Sequence, residues 1–408
     1  MTSSDTFDAV VVGGGPAGAT AATDLARAGH KVLLLDKAGR IKPCGGAIPP
    51  RALRDFDLPE SVLCARVTSA RMISPAGARV DMPIEGGFVG MVDREHFDEW
   101  LRVRAAEAGA ERAAGTFTRL DRDDDGTAVV CWQSKQDLDD KGREAPEQRT
   151  RARFVIGADG ARSQVGKQAV PGADNVPCVY AYHEIIEAPA AGTDLGPNGP
   201  WDPNRCDVIY DGRISPDFYG WVFPHGKNAS VGMGTFVKGT SLRDATARLR
   251  QDCGLTEAKT LRTEGAPIPL KPLKVWDNGR DVVLAGDAAG VVAPASGEGI
   301  YYALYGGRLA GEAVAEALKT GDAGALALAR KRFMKAHGRV FWILGIMQSF
   351  WYKSDPRRER FVSMCRDKDV QNLTWQAYMN KELVRANPLA HVRIFLKDTA
   401  HLLGLVKP

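Results

Sequence analysis

The sequence predicts an α/β protein in which a Rossmann-type parallel-sheet domain is interrupted by an antiparallel-sheet domain and followed by a helical, basic C-terminal region. Three observations carry that prediction. "FDAVVVGGGPAGA" near the start runs from an apolar stretch through a glycine turn into helical spacing. A matching apolar stretch, "DVVLAGDAAG", returns only at 281–290, so something else has been inserted into the first fold. Between them lie alternating segments broken by Gly and Pro, the pattern of hairpin strands.

The elements follow in order. Residues 7–12 read as a buried strand, 16–28 as a helix and "KVLLLD" (31–36) as a second buried strand, which makes a βαβ opening. Residues 65–92 alternate and break at "SPAG" and "EGG", as hairpins do. "DREHFDEWLRVRAAEAG" (93–109) has helical spacing and a glycine stop. Strands are expected over 116–156, separated by the charged stretch "SKQDLDDKGREAPEQRTR", which reads as a solvated loop. An irregular block rich in Pro, Gly and aromatics follows at 171–270, then the strand and turn at 281–290, then helices to the end. This assigns 1–64, 93–170 and 271–325 to the parallel-sheet domain, 65–92 and 171–270 to the inserted domain, and 326–408 to the C-terminal region.

The totals limit the function classes. A chain of 408 residues is too long for one ordinary core, so two domains plus an extension are expected. The seven cysteines, at 44, 64, 131, 178, 206, 253 and 365, form no CxxC pair and leave one over, which argues against a disulfide frame or a zinc site and for a reducing compartment. An apolar strand begins within seven residues of Met1, leaving no room for a secretory signal or transit peptide, and no run of eighteen apolar residues is present. The expectation is a cytoplasmic protein, or one peripheral on the inner face of a membrane.

The net charge of +4 is unevenly spread: residues 321–408 hold 16 Lys and Arg against 7 Asp and Glu, and the rest of the chain is net negative. The basic end contains "RVFWILGIMQSFWY" (339–352) and "HVRIFLKDTAHLLGLV" (391–406), which suit either the headgroup layer of an anionic membrane or the buried faces of a helical domain. No nucleic-acid motif accompanies the charge, and nucleic acid is not expected as a partner.

The chemistry begins at "VVGGGPAGA". Gly13, Gly15 and Gly18 form GxGxxG directly between a strand and a helix, with Pro16 and Ala17 opening that helix. The first two glycines permit a tight turn and the approach of a pyrophosphate, the third lets helix and strand pack, and the helix end offers amide hydrogens. Asp36 ends the second strand where an acid accepts from adenosine ribose hydroxyls, and Lys37 follows it. The motif alone leaves FAD and NAD open.

"SPDFYGWVFPHG" (215–226) sets Tyr219, Trp221 and Phe223 at every second position, ahead of Pro224 and His225. Period two puts the three rings on one face of a sheet. They are either sheet core or the lining of an apolar slot.

Two later segments resemble the paired signatures of the FAD-dependent family that includes aromatic hydroxylases, flavin halogenases and geranylgeranyl reductases: "FVIGADGARSQVGK" (154–167) and "VVLAGDAAGVVAPASGEGI" (282–300). The resemblance implies bound FAD, with Gly286 and Asp287 at the ribityl chain and the helix after "PASGEG", with Gly297 and Gly299, aimed at the flavin pyrimidine edge. Arg94 matches a position that relatives place against the cofactor; its alternative is an exposed helix arginine. Asp159 falls in the first of these segments, among the residues expected at the cofactor, and is expected to organise its turn in preference to touching substrate.

"KPCGGAIP" (42–49) is similar to the geranylgeranyl reductases, as is PxxYxWxFP in "SPDFYGWVFP"; the likeness implies Cys44 nearest the flavin, with Gly45 and Gly46 letting the backbone approach the isoalloxazine. The lysine usual after it is His225 here, and the downstream glycine is kept as Gly232. With "YYAL" (301–304), the resemblance covers nearly the whole chain and points to the chlorophyll and bacteriochlorophyll branch, a p-hydroxybenzoate-hydroxylase-like fold.

The implied reaction explains the aromatics. An isolated trisubstituted alkene is not polarised to accept hydride, so it must be protonated, and positive charge builds on its more substituted carbon. The faces of Tyr219 and Trp221 would stabilise that charge, and Phe223 and Pro224 would extend the wall along a prenyl chain. Cys44, Tyr219 and His225 are the competing proton donors, with space-filling the alternative for Cys44. No second dinucleotide motif is visible, so NADPH, implied by the resemblance, would dock transiently; reduced ferredoxin is the rival donor. The substrate is a prenylated pigment or a prenyl diphosphate. The rival functions are an oxygen-using hydroxylase or halogenase on the same scaffold and a non-catalytic prenyl carrier.

Overall fold

A computed structural model describes residues 6–37, 41–134, 147–196 and 199–381. The chain forms two compact units: 1–41, 94–178 and 267–339 make the first, and 42–93, 179–266 and 340–408 the second. The first crossing falls at 41/42 instead of after 64, so the loop carrying Cys44, Gly45 and Gly46 belongs to the second unit. The basic C-terminal region is divided between the units instead of standing apart. Its distal apolar run, 391–406, lies outside the described residues.

The first unit is built on five parallel strands in the order Val282–Leu284, Gln148–Gly157, Phe7–Val12, Val32–Asp36, Glu111–Arg122. Continuous apolar runs suit this position, because such strands are covered on both faces. Val10, Val11, Leu34 and Leu35 are accordingly buried. The outer halves of Gln148–Gly157 and Glu111–Arg122 extend past the parallel core and are joined by the antiparallel strand Ala128–Ser134. Helices Pro16–Arg27 and Ile300–Thr320 pack almost backbone to backbone: a Cβ on Gly307 would lie 2.1 Å from the Ala17 carbonyl oxygen. That approach accounts for the run of small residues in the first helix, where a larger side chain would push the two apart.

The second unit holds a seven-stranded sheet in the order Thr260–Pro269, Cys178–Glu187, Asn228–Thr235, Gly220–His225, Arg205–Ile209, Ser69–Ile73, Arg79–Pro83. Its middle strands are antiparallel, and Arg205–Ile209 runs parallel to Ser69–Ile73. The period-two argument holds here. Val222, Ala229, Val231 and Met233 face a core that includes Leu249 of helix Leu242–Asp252. Trp221 and Phe223 alternate with Val222 and point to the other face. Tyr219 lies just before the strand and still continues the row.

On that second face the neighbouring strand offers Ser230 and Gly232, register partners of Phe223 and Trp221, so large rings stand opposite small residues. The C-terminal helices Asp355–Met364 and Lys368–Asn380 belong to the same unit. Trp375, Tyr378 and Met379 pack with Phe223 against a cluster formed by Val67, Met91 and Cys206. Arg358, 2% exposed, donates to the carbonyl of Ser215 at 3.2 Å and to that of Tyr352 at 2.5 Å, pinning the helical end to the segment that leads into the ring row. On helix Leu328–Trp351, Trp342 is 67% and Ile346 48% exposed. Among the described residues no helix is long and apolar enough to cross a membrane.

Candidate functional site

In the first unit the site is made of backbone. Gly13 leaves the first strand at φ +106°, a conformation glycine alone adopts readily, and a Cβ there would lie 2.3 Å from the Ala158 carbonyl oxygen. A Cβ on Gly18 would lie 1.8 Å from the Gly13 carbonyl oxygen, so the helix meets the turn at a distance only glycine allows. Gly15 is the N-cap of helix Pro16–Arg27 and supplies no side-chain cap, while Pro16 fills the first turn. A Cβ on Gly15 would meet only Arg94 Nη2, at 3.9 Å. An uncapped helix end beside a guanidinium is an anion cradle, and a dinucleotide pyrophosphate fits it.

Arg94 is 5% exposed, which removes the exposed-arginine alternative, and both of its outer hydrogen bonds to Asp98 measure 2.7 Å. Asp36 Oδ2 accepts from the Gly14 amide at 2.7 Å, and its Oδ1 lies 3.6 Å from Arg102 Nη1. Arg102 was not among the expected residues; it also donates to the Gly14 carbonyl at 3.4 Å and so props the turn. It lies two helical turns after Arg94, and only the fold brings it to the glycines. Lys37 is exposed.

The remaining residues expected at the cofactor fall into three turns. Gly286, at φ +62°, packs against Ala17, where a Cβ would come within 2.7 Å, and Asp287 beside it is buried. Gly297 takes φ +64°, and Gly299 caps helix Ile300–Thr320 without a side-chain bond of its own. The sequence reading offered the amides of this helix end to a flavin; the structure gives one of them, Tyr301 N, to Glu298 Oε1 at 2.8 Å. Asp159 serves its own turn: it accepts from Ser163 Oγ, from Gln164 N at 2.6 Å and from Val165 N at 3.2 Å, capping helix Gln164–Ala169. Burial pushes its carboxyl above the usual range, against those donors.

In the second unit the site is made of side chains. The centroids of Tyr219 and Trp221 are 6.2 Å apart at 70°, and those of Trp221 and Phe223 6.3 Å apart at 37°. Phe218 stacks behind Tyr219 at 4.2 Å. Gly232 leaves room for the indole, since a Cβ there would lie 2.5 Å from Trp221 Cζ2. The Cys44 loop lies against the same row: a Cβ on Gly45 would be 3.2 Å from the Phe223 ring, and one on Gly46, at φ +75°, 3.0 Å from the His225 ring.

His225 Nε2 is 3.0 Å from the Gly45 carbonyl oxygen, and because a carbonyl only accepts, that nitrogen carries hydrogen. Burial lowers the His225 pKa, opposed by that carbonyl, so the ring is neutral near pH 7. Cys44 is half-buried and its sulfur accepts from the Gly46 amide at 3.3 Å. Burial first, then Tyr352 and Cys44, push the Tyr219 phenol far above its usual range, so it keeps its proton. Pro224, expected to extend the ring wall, instead is buried as the register partner of Ala229, on the core face of the strand with Val222 and away from the ring row, because successive strand residues alternate.

A parallel-sheet cradle for a pyrophosphate and a wall of buried rings define an FAD-dependent oxidoreductase. The comparisons agree. Residues 6–176 match the family model for an FAD binding domain. A geranylgeranyl diphosphate reductase of Rhodobacter capsulatus is 61% identical over 98% of this chain and 99% of its own. The chain belongs to the geranylgeranyl reductase family.

Among solved structures, a geranylgeranyl bacteriochlorophyll reductase-like protein of Thermoplasma acidophilum aligns over 95% of this chain and 99% of its own, with a TM-score of 0.78 at 23% identity. A flavin-dependent brominase aligns over 97% and 99%, with a TM-score of 0.69 at 16% identity. At such identities these two speak for the fold alone, and the fold is shared by reductases and oxygen-using enzymes.

Proposed function

We propose that the protein reduces isolated double bonds of a geranylgeranyl chain, carried as diphosphate or esterified to a pigment, toward the phytyl level, with NADPH as electron source. The observation that carries the proposal is the ring row of Tyr219, Trp221 and Phe223 standing over Ser230 and Gly232, in a chain so close to a geranylgeranyl diphosphate reductase. FAD held at the Gly13–Gly18 turn and beside Gly286 and Asp287 would, once reduced, be the source of hydride.

The protein's own groups do the rest. The ring faces stabilise positive charge on the more substituted alkene carbon by about 0.5–2 kcal/mol each and keep water away from it. Tyr219, whose buried phenol keeps its proton, and Cys44, in the loop against the row, are the proton donors that suit this reading. His225 is neutral and committed to the Gly45 carbonyl, which supports a positioning role in place of the donor role its sequence position suggested. Exposed Trp342 and Ile346, with the basic residues Lys335, Arg339 and Lys353 exposed on or just after the same helix, support peripheral contact with an anionic membrane that holds the pigment.

The test is incubation of the FAD-loaded protein with each geranylgeranyl compound, giving NADPH or reduced ferredoxin in separate arms. Products heavier by two hydrogens per step are expected with NADPH. Products gaining an oxygen or halogen atom as oxygen is consumed would instead establish the rival flavoenzyme reading, and failure of NADPH alone would move the donor to ferredoxin.

A further inference from the structure

A chain of polar contacts runs away from the indole of Trp221 within the second unit. Trp221 Nε1 donates to Ser230 Oγ at 3.0 Å. Ser230 Oγ is 2.8 Å from His183 Nδ1, and His183 Nε2 is 2.8 Å from Glu264 Oε2. Glu264 Oε1 in turn forms a 2.9 Å ion pair with Arg262 Nε, and Arg262 reaches Asp93 at 3.4 Å. His183, Gly232 and Trp221 are register partners on three adjacent strands, so the path is set by the sheet itself.

Chemistry sets the direction of each bond. An indole N–H only donates, so Ser230 Oγ accepts from it and turns its own hydrogen to His183; a carboxylate only accepts, so His183 Nε2 carries hydrogen. This neutral tautomer satisfies every group. A doubly protonated ring would point a second donor at Ser230 and leave its hydroxyl hydrogen stranded in a residue that is 0% exposed.

All three bonds therefore run toward Glu264. The carboxylate makes His183 Nδ1 a better acceptor, which polarises the Ser230 hydroxyl and makes its oxygen a better acceptor for the indole. Electron density is shifted onto the ring whose face attracts positive charge. Packing gives no reason for such a chain. The opposite side of the same strand is filled by Ala229, Val231 and Met233, and a buried ionic network is weak support for stability.

The geometry points to Ser230, His183 and Glu264 as positioning residues that hold the Trp221 ring plane and raise its attraction for positive charge on the substrate. The inference rests on the proposed role of Trp221 in the reaction, and the test separates the two. Turnover of geranylgeranyl diphosphate with NADPH is measured on the full FAD-loaded chain for Trp221→Phe, Glu264→Gln, Ser230→Ala and the Trp221→Phe/Glu264→Gln double variant. Glu264→Gln keeps the shape and one acceptor oxygen while losing the charge, so folding is spared.

The expected result is a fall in kcat of about fivefold for Glu264→Gln, with KM within about twofold, flavin absorbance unchanged, and no further loss when Trp221 is already Phe. A larger fall is expected for Ser230→Ala. Full turnover in Glu264→Gln and Ser230→Ala beside a slow Trp221→Phe would overturn the inference and leave the ring-wall reading standing. An equal Glu264→Gln effect in the Trp221→Phe background, or full turnover in Trp221→Phe, would also overturn it, whereas full turnover in Trp221→Leu would remove the ring-wall reading itself.

Discussion

The glycine cradle of the first unit and the ring wall of the second solve recognition in opposite ways. On the proposed reading the cradle would take an anion on backbone amides, so its specificity lies in which side chains are missing: Gly13, Gly15 and Gly18 matter because nothing larger fits or because space must stay open. On the same reading the wall would meet an apolar, transiently cationic chain with bulky side chains, and its glycine, Gly232, serves to seat a ring. Backbone sites tolerate almost no substitution at their glycines and little dependence on neighbouring chemistry. Side-chain sites should lose function in graded steps.

The sharpest contrast should come from Gly18→Ala. With a Cβ 1.8 Å from the Gly13 carbonyl oxygen, the helix must move off the turn, and purified protein should be colourless with a markedly lower Tm. A yellow, stable Gly18→Ala protein would break the comparison at its firmest point. Next comes Trp221→Leu, which should keep its flavin spectrum while kcat falls by about two- to thirtyfold, as the loss of one ring-face interaction of about 0.5–2 kcal/mol implies. If Trp221→Leu lowered only Tm, the rings would be sheet core after all.

Gly232→Ala should be milder in rate and clear in stability, costing about 1–3 kcal/mol as the indole shifts from a Cβ placed 2.5 Å away. Its Tm and kcat should fall together, unlike those of Trp221→Leu. The smallest effect concerns pH. His225 has a lowered pKa in the folded chain, so the unfolded chain binds the proton first; stability is intact above about pH 6.5 and declines as pH falls below it. A His225→Gln variant should show a flatter Tm profile between about pH 7 and 5.

How much of this was legible before folding differs between the units for the same reason. The cradle residues Gly13, Gly15, Gly18 and Asp36 lie within 24 residues of chain, so a strand–turn–helix pattern displayed them together. Period two likewise displayed Trp221 and Phe223 on one face, and extended correctly to Tyr219 outside the strand. Arg102, Ser230, His183, Glu264 and Arg358 were silent because each works through a partner distant in sequence, joined by strand register or helix docking. Gly232 was a faint signal: a glycine kept downstream of an aromatic motif, whose meaning appears only when the two strands are paired.

Sequence alone determined the anion-binding turn, the buried parallel strands and the alternation of rings, because local sterics and periodicity settle these within one or two elements. Tertiary structure decided that the Cys44 loop lies with the rings, that His225 holds that loop, that Asp159 closes its own turn and that the C-terminal helices brace the wall. Those outcomes depend on which distant surfaces come within hydrogen-bonding or van der Waals reach, a matter of long-range packing that no short window of residues encodes.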